Sequence, residues 1–547
     1  MIPEEPSSRQ FSNLEISAQH VGFGSLSEAE RRMLREAPRG NYAYCGSSND
    51  PKHATNDPAQ ANSWDANREV RAGLIRWLCK KLDPESSTHP PGIFLLGAKV
   101  TGSLNLAFDK VPVALFLRHC RLSERICLQN ARIPFLDLAG SFVHDIVAVG
   151  ATFASDLFLG YGFVAEAGVC LANAQIGGDL ACVGGKFGSS PMSEMPDGGH
   201  ALNAEGTIVA RHVFLNGGFT ADGDVWLLGI QVGGDLNCAG GAFRDLRVDY
   251  ASIKRSVLLS DGFTDEGEVR LLHARVGGDV RLEKGSFCKL NLQSATIDGN
   301  LFLDELETTE GMTIDLKNAS ADSLYDNQES WPAQGNLYLD GFVYRHISGG
   351  PTDARTRLEW IERQAKFKLQ PYRQLAKVLH EMGDDRGAHL VLYRMEERRR
   401  QEDHSRRARV WGRVLQATIG YGLYPLMVFW WLLGVTLLGA ALFHYGYRAG
   451  AMTPADEEAY KYFRQHREPP LHQQQFNAFV YSLENSVPLL KLGQDGSWTP
   501  DPAPATSGPW WFRWPTILRC FRWMQIVLGW ILGTLFVAGV TGLLRKE

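Results

Sequence analysis

A degenerate repeat runs through the middle of the chain and constrains its fold more than any other feature. Its clearest copies place a Gly-Gly-Asp or Asp-Gly-Asn triplet after a central aliphatic residue, as at Ile176, Val232, Val276 and Ile297. With weaker copies included, that residue lies at positions 176, 208, 232, 253, 276 and 297, so most steps are 21 to 24 residues long. The longest step holds a Ser/Pro/Gly-rich insertion, residues 188–199, which we expect to form a surface loop.

A period just above about 20 residues is typical of one coil of a parallel β-helix. Alternate residues of each short strand point inward, so Leu236 and Cys238 should both be buried. Each coil can bury its apolar side chains only by stacking on its neighbours. We therefore predict a mainly β chain, with a right-handed parallel β-helix, or solenoid, over residues 91–345. A β-sandwich or a propeller is the rival interpretation.

The residues ahead of the solenoid are predicted to form a disordered segment, 1–25, and a helical cap, 26–90. Ser27 and Glu30 have the spacing of a capping box at the start of a first helix. A second helix is predicted from about Asp65 to Leu82, with an apolar face and a basic opposite face. That helix either caps the solenoid or docks a partner.

The sequence changes character in residues 355–413, which are predicted to form a helical hairpin and a basic juxtamembrane segment. Pro371 suits the first turn of one helix, and Gly383 and Asp384 suit the turn before the next. The pattern resembles a single hairpin of the tetratricopeptide type. It runs into a series of arginines: Arg398, Arg399, Arg400, Arg406, Arg407, Arg409 and Arg413.

Two uncharged, largely apolar stretches, 424–443 and 524–544, are each about as long as a helix needs to cross a bilayer core. We predict that both span the bilayer within a membrane module, residues 414–547, and that tryptophans flank them at the interfaces. The second stretch also holds two pairs of small residues at a spacing of four, which lets helices pack closely in lipid. The predicted packing residues are Gly529, Gly533, Ala538 and Gly542.

The charges that flank the two stretches predict the topology. Arginines precede the first stretch, and Arg545 and Lys546 follow the second, so the positive-inside rule puts both termini in the cytosol. Arg513, Arg519 and Arg522 lie on the opposite side and weaken this signal. The N-terminus lacks the basic and apolar regions of a secretory signal, which favours the same multi-pass topology.

The loop between the two stretches contains another amphipathic pattern, residues 476–488, which ends at a proline. Span, short helix, loop and span follow one another as in the pore domains of two-helix cation channels, which this segment resembles in arrangement. The resemblance puts Tyr481-Ser-Leu-Glu in the place of the pore helix. It implies that four polar residues line a pore: Glu484, Asn485, Ser486 and Gln494.

The same loop departs from those channels in two respects. No Thr-x-Gly-Tyr-Gly filter follows the short helix, and the similar string at residues 418–422 precedes the first span, where a filter cannot lie. The stretch from Gly493 to the second span is also unusually long and rich in proline and tryptophan. The sequence therefore leaves two interpretations of residues 476–488. They form either a re-entrant helix of a pore or an interfacial helix on the outer surface of the membrane.

Catalytic and cofactor chemistry have no motif in the sequence. None of the nine cysteines forms a CxxC pair and the histidines show no ligand spacing, so no metal site is predicted. No dinucleotide fingerprint is present, and no cofactor is expected. The net charge of −5 gives no sign of a nucleic-acid partner. The aspartates of the triplets, Asp179, Asp235 and Asp279, should stack along one corner, where they either stabilise turns or bind calcium.

Over nearly its whole length the chain resembles bacterial pentapeptide-repeat-like β-helix membrane proteins, which often carry the label "membrane-associated oxidoreductase". The resemblance rests on Trp64 and Arg71-Ala72, the Gly-Gly-Asp-Leu coils, Gly420-Tyr-Gly, Tyr481-Ser-Leu-Glu and Gly529-Trp-Ile-Leu. It implies a location in the bacterial inner membrane. The oxidoreductase label finds no supporting motif in these residues, so an enzyme is not expected.

Three functions are compatible with the sequence. The first is a cytosolic solenoid that binds or senses a protein partner, joined to a homo-oligomeric two-span module that surrounds a pore. The second is a scaffold that is anchored in the lipid bilayer and does not conduct. The third is a membrane-associated oxidoreductase, which the label alone suggests.

Overall fold

The computed structural model describes residues 14–83, 91–189, 200–402, 418, 426–466, 468–470, 473–487, 489–501 and 514–541. The chain divides into two units, Met1–Val391 and Leu392–Glu547. The first unit contains a parallel β-solenoid of about 11 turns, and the second contains two long apolar helices. The predicted parallel solenoid with flanking helices is confirmed. Most of the insertion predicted as a surface loop lies outside the described residues.

Each regular coil contributes four short strands, two to each of two parallel sheets. Leu236 and Cys238 are fully buried, as the alternation of side chains predicts. The strands of the first sheet are Tyr42–Tyr44, Gly92–Leu96, Ala114–Arg118, Arg132–Ile133, Leu136–Asp137, Thr152–Phe153, Leu157–Phe158, Gln175–Ile176, Leu180–Ala181, Ile208–Val209, Val213–Phe214, Gln231–Val232, Leu236–Asn237, Ser252–Ile253, Val257–Leu258, Arg275–Val276, Val280–Arg281, Thr296–Ile297, Leu301–Leu303, Ser320–Asp326 and Val343–Ser348.

The second sheet completes each coil and pairs in the same parallel register. Its strands are Glu69–Arg71, Lys99–Thr101, Leu104–Asn105, Arg121–Leu122, Ile126–Cys127, Phe142–Val143, Ile146–Val147, Val164–Ala165, Val169–Cys170, Lys186–Phe187, Leu202–Asn203, Thr220–Ala221, Val225–Trp226, Ala242–Phe243, Leu246–Arg247, Thr264–Asp265, Glu268–Arg270, Ser286–Asn291, Glu307–Asp315 and Leu337–Tyr338.

Buried phenylalanines form an alternating column inside the second sheet. Phe163 lies just before its strand, whereas Phe187 lies at the end of the next strand, because Val164 pairs with Lys186. Where one of these two positions holds phenylalanine, the other usually holds glycine or alanine, so each ring fills space that its neighbour leaves empty. Successive ring centroids are 5.0 to 5.4 Å apart along the column: Phe163, Phe187, Phe219, Phe243, Phe263 and Phe287.

Asp265 breaks the pattern of this column. It takes the inward position that Ala165 and Ala221 hold in other coils, beside Phe243, and is only 6% exposed. Neither of its carboxylate oxygens has a hydrogen-bond partner among the described residues. Burial raises the pKa of Asp265 to about 7. The backbone amides of Cys288 and Gly267 oppose that rise, although neither reaches hydrogen-bond geometry.

The aspartates of the Gly-Gly-Asp triplets stack at one corner of the solenoid, as predicted. Each accepts a hydrogen bond from a backbone amide of the next coil: Asp179 from His212, Asp235 from Ser256 and Asp279 from Asn300, at 2.8 to 2.9 Å. These bonds stabilise the turns, which is the first of the two roles predicted for these residues. In the described part of the chain, no cluster of metal-ligating side chains is found.

Helices cover the N-terminal end of the solenoid. The first, α1 (Glu28–Glu36), begins with the predicted Ser27–Glu30 capping box. The second, α2 (Ala72–Lys81), is shorter than predicted, because Glu69–Arg71 forms a strand in which Val70 pairs with Val100. Short 3-10 turns occupy Ala37–Arg39, Ala54–Asn56, Pro58–Ser63, Ala66–Arg68 and, later in the chain, Gln328–Ser330.

The segment predicted to be disordered is ordered from residue 14 onward. Residues 14–18 are helical, and Gln19–Phe23 continue as a π-helix. The contacts that hold this segment come from distant residues, which explains the difference. The ring of Phe23 lies 6.1 Å from that of Trp77, and its carbonyl accepts a hydrogen bond from Arg71. Residues 1–13 lie outside the described part.

A buried ion pair joins the last coils to the helices that follow. Arg357 lies on α3 (Ala354–Glu362) and donates to both oxygens of Asp326, at 2.6 and 2.8 Å. Their side chains are 0% and 2% exposed. The indole N–H of Trp331 donates to the same carboxylate at 2.7 Å. The positive charge of Arg357 and the negative charge of Asp326 therefore neutralise each other inside the protein, away from water.

The predicted helical hairpin corresponds to α4 (Leu369–Glu381) and α5 (Asp385–Glu402), with Pro371 in the first turn of α4. Gly383, with a φ of 87°, makes the turn between them. Gln374 on α4 donates to the carbonyl of Tyr344 in the last strand, at 2.6 Å. The later arginines of the predicted basic segment lie outside the described part: Arg406, Arg407, Arg409 and Arg413.

The second unit contains two helices that are long and apolar enough to cross a membrane, α6 (Met427–Arg448) and, last in the chain, Trp514–Val540. This supports an association with a membrane. The later helix begins ten residues before the predicted span, because Arg519 and Arg522 find partners in Asp501 and Asp495. Between them lie α7 (Glu457–His466), α8 (Ala478–Ser486) and α9 (Gln494–Ser497), so Trp514–Val540 is α10.

An aromatic cluster fixes the end of this unit where α6 finishes. Strands Met452–Pro454 and Trp498–Pro500 pair antiparallel there. Trp498 is fully buried, packs against Tyr447 and Phe476, and donates its indole N–H to the carbonyl of Gln474. The segment between the two long helices is therefore a packed substructure.

Candidate functional site

Helices α6 and α10 pack antiparallel, and the close contacts use glycines of α6. A side chain added at Gly446 would collide with Leu518, and one at Gly439 would collide with Ser482 and Gln525. The sequence predicted packing through α10 instead. At Gly533 an added Cβ would meet no atom within 4 Å, so this residue makes no close contact inside the chain, and the predicted packing through α10 stays a prediction.

Helix α8 lies between α6 and α10 and runs alongside both. Its Tyr481 ring packs 4.8 Å from Phe443, near the end of α6. Its last residues line a cavity together with Leu432, about 11 residues earlier on α6. At a rise of about 1.5 Å per residue, the nine residues of α8 extend about 13 Å alongside α6. Helix α8 therefore packs lengthwise against the two long apolar helices, and its re-entrant or interfacial position in a membrane stays a prediction.

A buried polar network holds α8 in this position. Ser482 donates to the carbonyl of Thr436 on α6 at 2.7 Å. Gln525 on α10 donates from its amide nitrogen to the carbonyl of Ser482, at 3.0 Å, and to the hydroxyl of Ser486, at 2.6 Å. Ser482 and Gln525 are fully buried. Because polar groups in an apolar module are costly unless paired, this network ties the three helices together.

The chain returns after α8 to the end at which that helix began. Gln494 donates from its side chain to the carbonyl of Gln475, and its side-chain oxygen accepts the amide of Asn477. Val487 and residues 489–493 thus form the turn between α8 and the returning chain, which we call the tip loop; residue 488 lies outside the described part. Leu489 at this tip is 89% exposed.

Glu484 anchors the return of the tip loop. Its Oε1 accepts the amides of Leu492 and Gly493, and its Oε2 accepts those of Gln494 and Asp495, at 2.9 to 3.1 Å. Consecutive amides that converge in this way form an anion-binding concavity, here filled by the carboxylate of the chain itself. Asp495 in turn pairs with Arg522 on α10.

The four residues predicted to line a pore come together around α8 but do not face open space in a single chain. Asn485, Ser486 and Gln494 are 1% to 2% exposed and bond within the chain. Glu484 is half-buried, with both oxygens occupied. Glu484 and Gln494 hold the tip loop, whereas Asn485 and Ser486 bond within α8 and to α10. Gln525 was not among the predicted site residues, although a glutamine at the start of an apolar run is a signal of buried polar contacts.

Replacing Glu484 with glutamine should loosen the tip loop. The amide nitrogen of glutamine would oppose two of the four backbone N–H donors, and unsatisfied buried donors cost about 1–3 kcal/mol. We expect the amides of residues 492–495, which bond to Glu484, to exchange with solvent about 10- to 100-fold faster in the full-length protein. Glu457→Gln on α7 is the control, because Glu457 is 83% exposed and pairs only with Lys461 on the same helix. Equal exchange in the two variants would contradict the anchoring role.

An open apolar groove lies beside the tip loop. Its volume is about 340 Å³, and its floor is the small-residue face of α10, with Gly529, Gly533 and Ala538. Leu432 of α6 and Leu489 of the tip loop form its walls. Three of the four predicted packing residues therefore line this groove, with Gly529 buried and Gly533 and Ala538 partly exposed; Gly542 lies outside the described residues.

Comparisons with known proteins give no match to a family model, to a curated protein or to a solved structure. The resemblance to bacterial pentapeptide-repeat-like membrane proteins therefore stays a prediction.

Proposed function

We propose that this protein is a membrane-anchored solenoid whose re-entrant module, in several copies, forms a path for small ions across a bilayer. The observation that carries the proposal is the tip loop. Its backbone is irregular, and within the described residues the amides of Leu489 and Lys491 make no hydrogen bond. Irregular backbone at membrane depth is tolerated only where protein covers it or where it lines a water-filled cavity.

Water at the tip loop would also explain why this loop carries a charged side chain. Lys491 is exposed between two exposed leucines, Leu490 and Leu492. A lysine is costly next to hydrocarbon and is acceptable where it faces water. We therefore propose that the loop backbone and Lys491 line the path and favour anions. This assignment replaces Glu484, Asn485, Ser486 and Gln494 as the lining residues.

Ion flux through liposomes that carry the full-length protein tests the proposal. We expect chloride flux to exceed potassium flux, and Lys491→Gln to lower the chloride-to-potassium ratio about 3- to 10-fold, since it removes a charge worth roughly 1 kcal/mol in a partly aqueous site. Lys461→Gln on α7 is the control, because Lys461 is 69% exposed and outside the re-entrant segment. Absence of flux from folded protein would overturn the proposal.

A non-conducting scaffold is the second candidate. It is favoured by the enclosure of Asn485, Ser486 and Gln494, which leaves no polar side chain of α8 free to contact an ion. In that case the solenoid, with its long regular surface, would dock a partner protein while the two apolar helices anchor it. The liposome experiment separates the two candidates, because the scaffold predicts folded protein without flux.

A further inference from the structure

Among the described residues, no side chain fills the groove on α10. The seam between α6 and α10 uses Gly439 and Gly446, and on the groove side Gly529 is buried, whereas an added Cβ at Gly533 would meet no atom within 4 Å. Large side chains stand exposed beside them, with Trp530 at 56% and Val537 at 57%. Helix α10 therefore presents a hollow bordered by apolar projections.

The tip loop has backbone amides that need hydrogen-bond acceptors, which the acyl chains of lipid cannot supply. An acyl chain could fill the groove, but it cannot accept a hydrogen bond from the amides of Leu489 and Lys491. Unmet backbone donors in hydrocarbon cost several kcal/mol each. The surface around Leu489 thus calls for protein on one side and water on the other, which is the arrangement at the rim of a pore.

We infer that the groove on α10 receives a second copy of this chain. The inference rests on the proposed function and names its assembly surface. The projection, Leu489, and the hollow at Gly529 and Gly533 lie at the same level, because Leu489 forms part of the wall of its own groove. Copies related by rotation about an axis parallel to the helices can therefore fill one another's grooves at that level and close into a ring.

A matched pair of glycine substitutions tests this surface. Gly533→Leu fills the groove, whereas Gly434→Leu adds the same side chain to α6, where the glycine is exposed. Both positions are open, with no atom within 4 Å of an added Cβ, so neither substitution causes a clash inside the chain. The particle mass of full-length protein in lipid nanodiscs is measured across a dilution series. We expect Gly533→Leu to weaken association at least about tenfold and Gly434→Leu to leave it unchanged.

Leu489→Ala, which removes the projection, gives a second test and should weaken association in the same direction. Association of Gly533→Leu equal to wild type would overturn the inference, as would a wild-type protein that stays monomeric. Flux measured on the same proteins in liposomes distinguishes the two proposals. If Gly533→Leu assembles and conducts, the groove assignment is wrong and the proposed function stands. If wild type assembles, Gly533→Leu dissociates and no sample conducts, the groove assignment stands and the ion path is wrong.

Discussion

Arg357→Ala should lower the free energy of unfolding of the C-terminal coils by about 3–5 kcal/mol, which is the cost of leaving one partner of a buried ion pair alone. The carboxylate of Asp326 would lose two charge-assisted hydrogen bonds and keep only the one from Trp331. Neither side chain can recover this energy from water, because both are enclosed. Hydrogen exchange of the strands Ser320–Asp326 and Val343–Ser348 in the full-length protein would measure the loss.

The solenoid supplies a matched control for this substitution. Arg345 pairs with Asp322 at 3.5 Å, but the arginine is 77% exposed, so Arg345→Ala should cost less than about 1 kcal/mol. Comparison of the two variants isolates the effect of burial, because both substitutions remove the arginine partner of an aspartate in the same part of the chain. A loss of similar size in the two variants would show that Arg357 contributes no more than a surface charge.

Asp265→Ala should stabilise the solenoid at neutral pH, with the gain depending on pH. The pKa of Asp265 is raised from 3.8 to about 7 in the folded protein, so the folded state binds this proton more tightly than the unfolded state. The contribution of Asp265 to the free energy of unfolding is therefore fully present below about pH 4 and is lost as the pH rises to about 7. A shift of about three units corresponds to about 4 kcal/mol.

The difference in free energy of unfolding between Asp265→Ala and wild type isolates the effect of Asp265, because the other titrating groups are present in both proteins. We expect urea unfolding, followed by the β-sheet circular-dichroism signal, to give a difference that grows by about 4 kcal/mol between about pH 4 and pH 7. Asp298→Ala, at an exposed corner, is the control and should stay within about 0.5 kcal/mol of wild type. A difference for Asp265→Ala that does not change with pH would contradict the argument.

The repeat was enough to predict the solenoid because its period reports the length of one coil directly. The burial of Leu236 and Cys238 follows from the same local alternation. Failures occur where the deciding contact is far away in sequence. Glu69–Arg71 forms a strand because it pairs with Lys99–Thr101, 30 residues later, and no local pattern distinguishes it from the start of a helix.

The candidate site shows the same limit. The amphipathic pattern of residues 476–488 predicts a helix, but a re-entrant and an interfacial helix have the same apolar face. The contacts that place this helix alongside α6 and α10 come from Thr436 and Gln525, each more than 40 residues away in sequence, and no local pattern predicts them. Likewise, the polarity of Glu484 suggested contact with ions, whereas the structure places its carboxylate against amides that a sequence does not position.

The alternating phenylalanine column has a consequence for how a solenoid of this kind can change length. Deleting one coil, such as the one that carries Phe187, would bring Phe163 into register with Phe219 and Ala165 with Ala221. One side of the interior would then hold two adjacent rings, and the other would hold two methyl groups and a void. Deleting two coils would restore the alternation. Insertions and deletions in this region should therefore be tolerated in pairs of coils, so that the pair is the unit in which the chain lengthens or shortens.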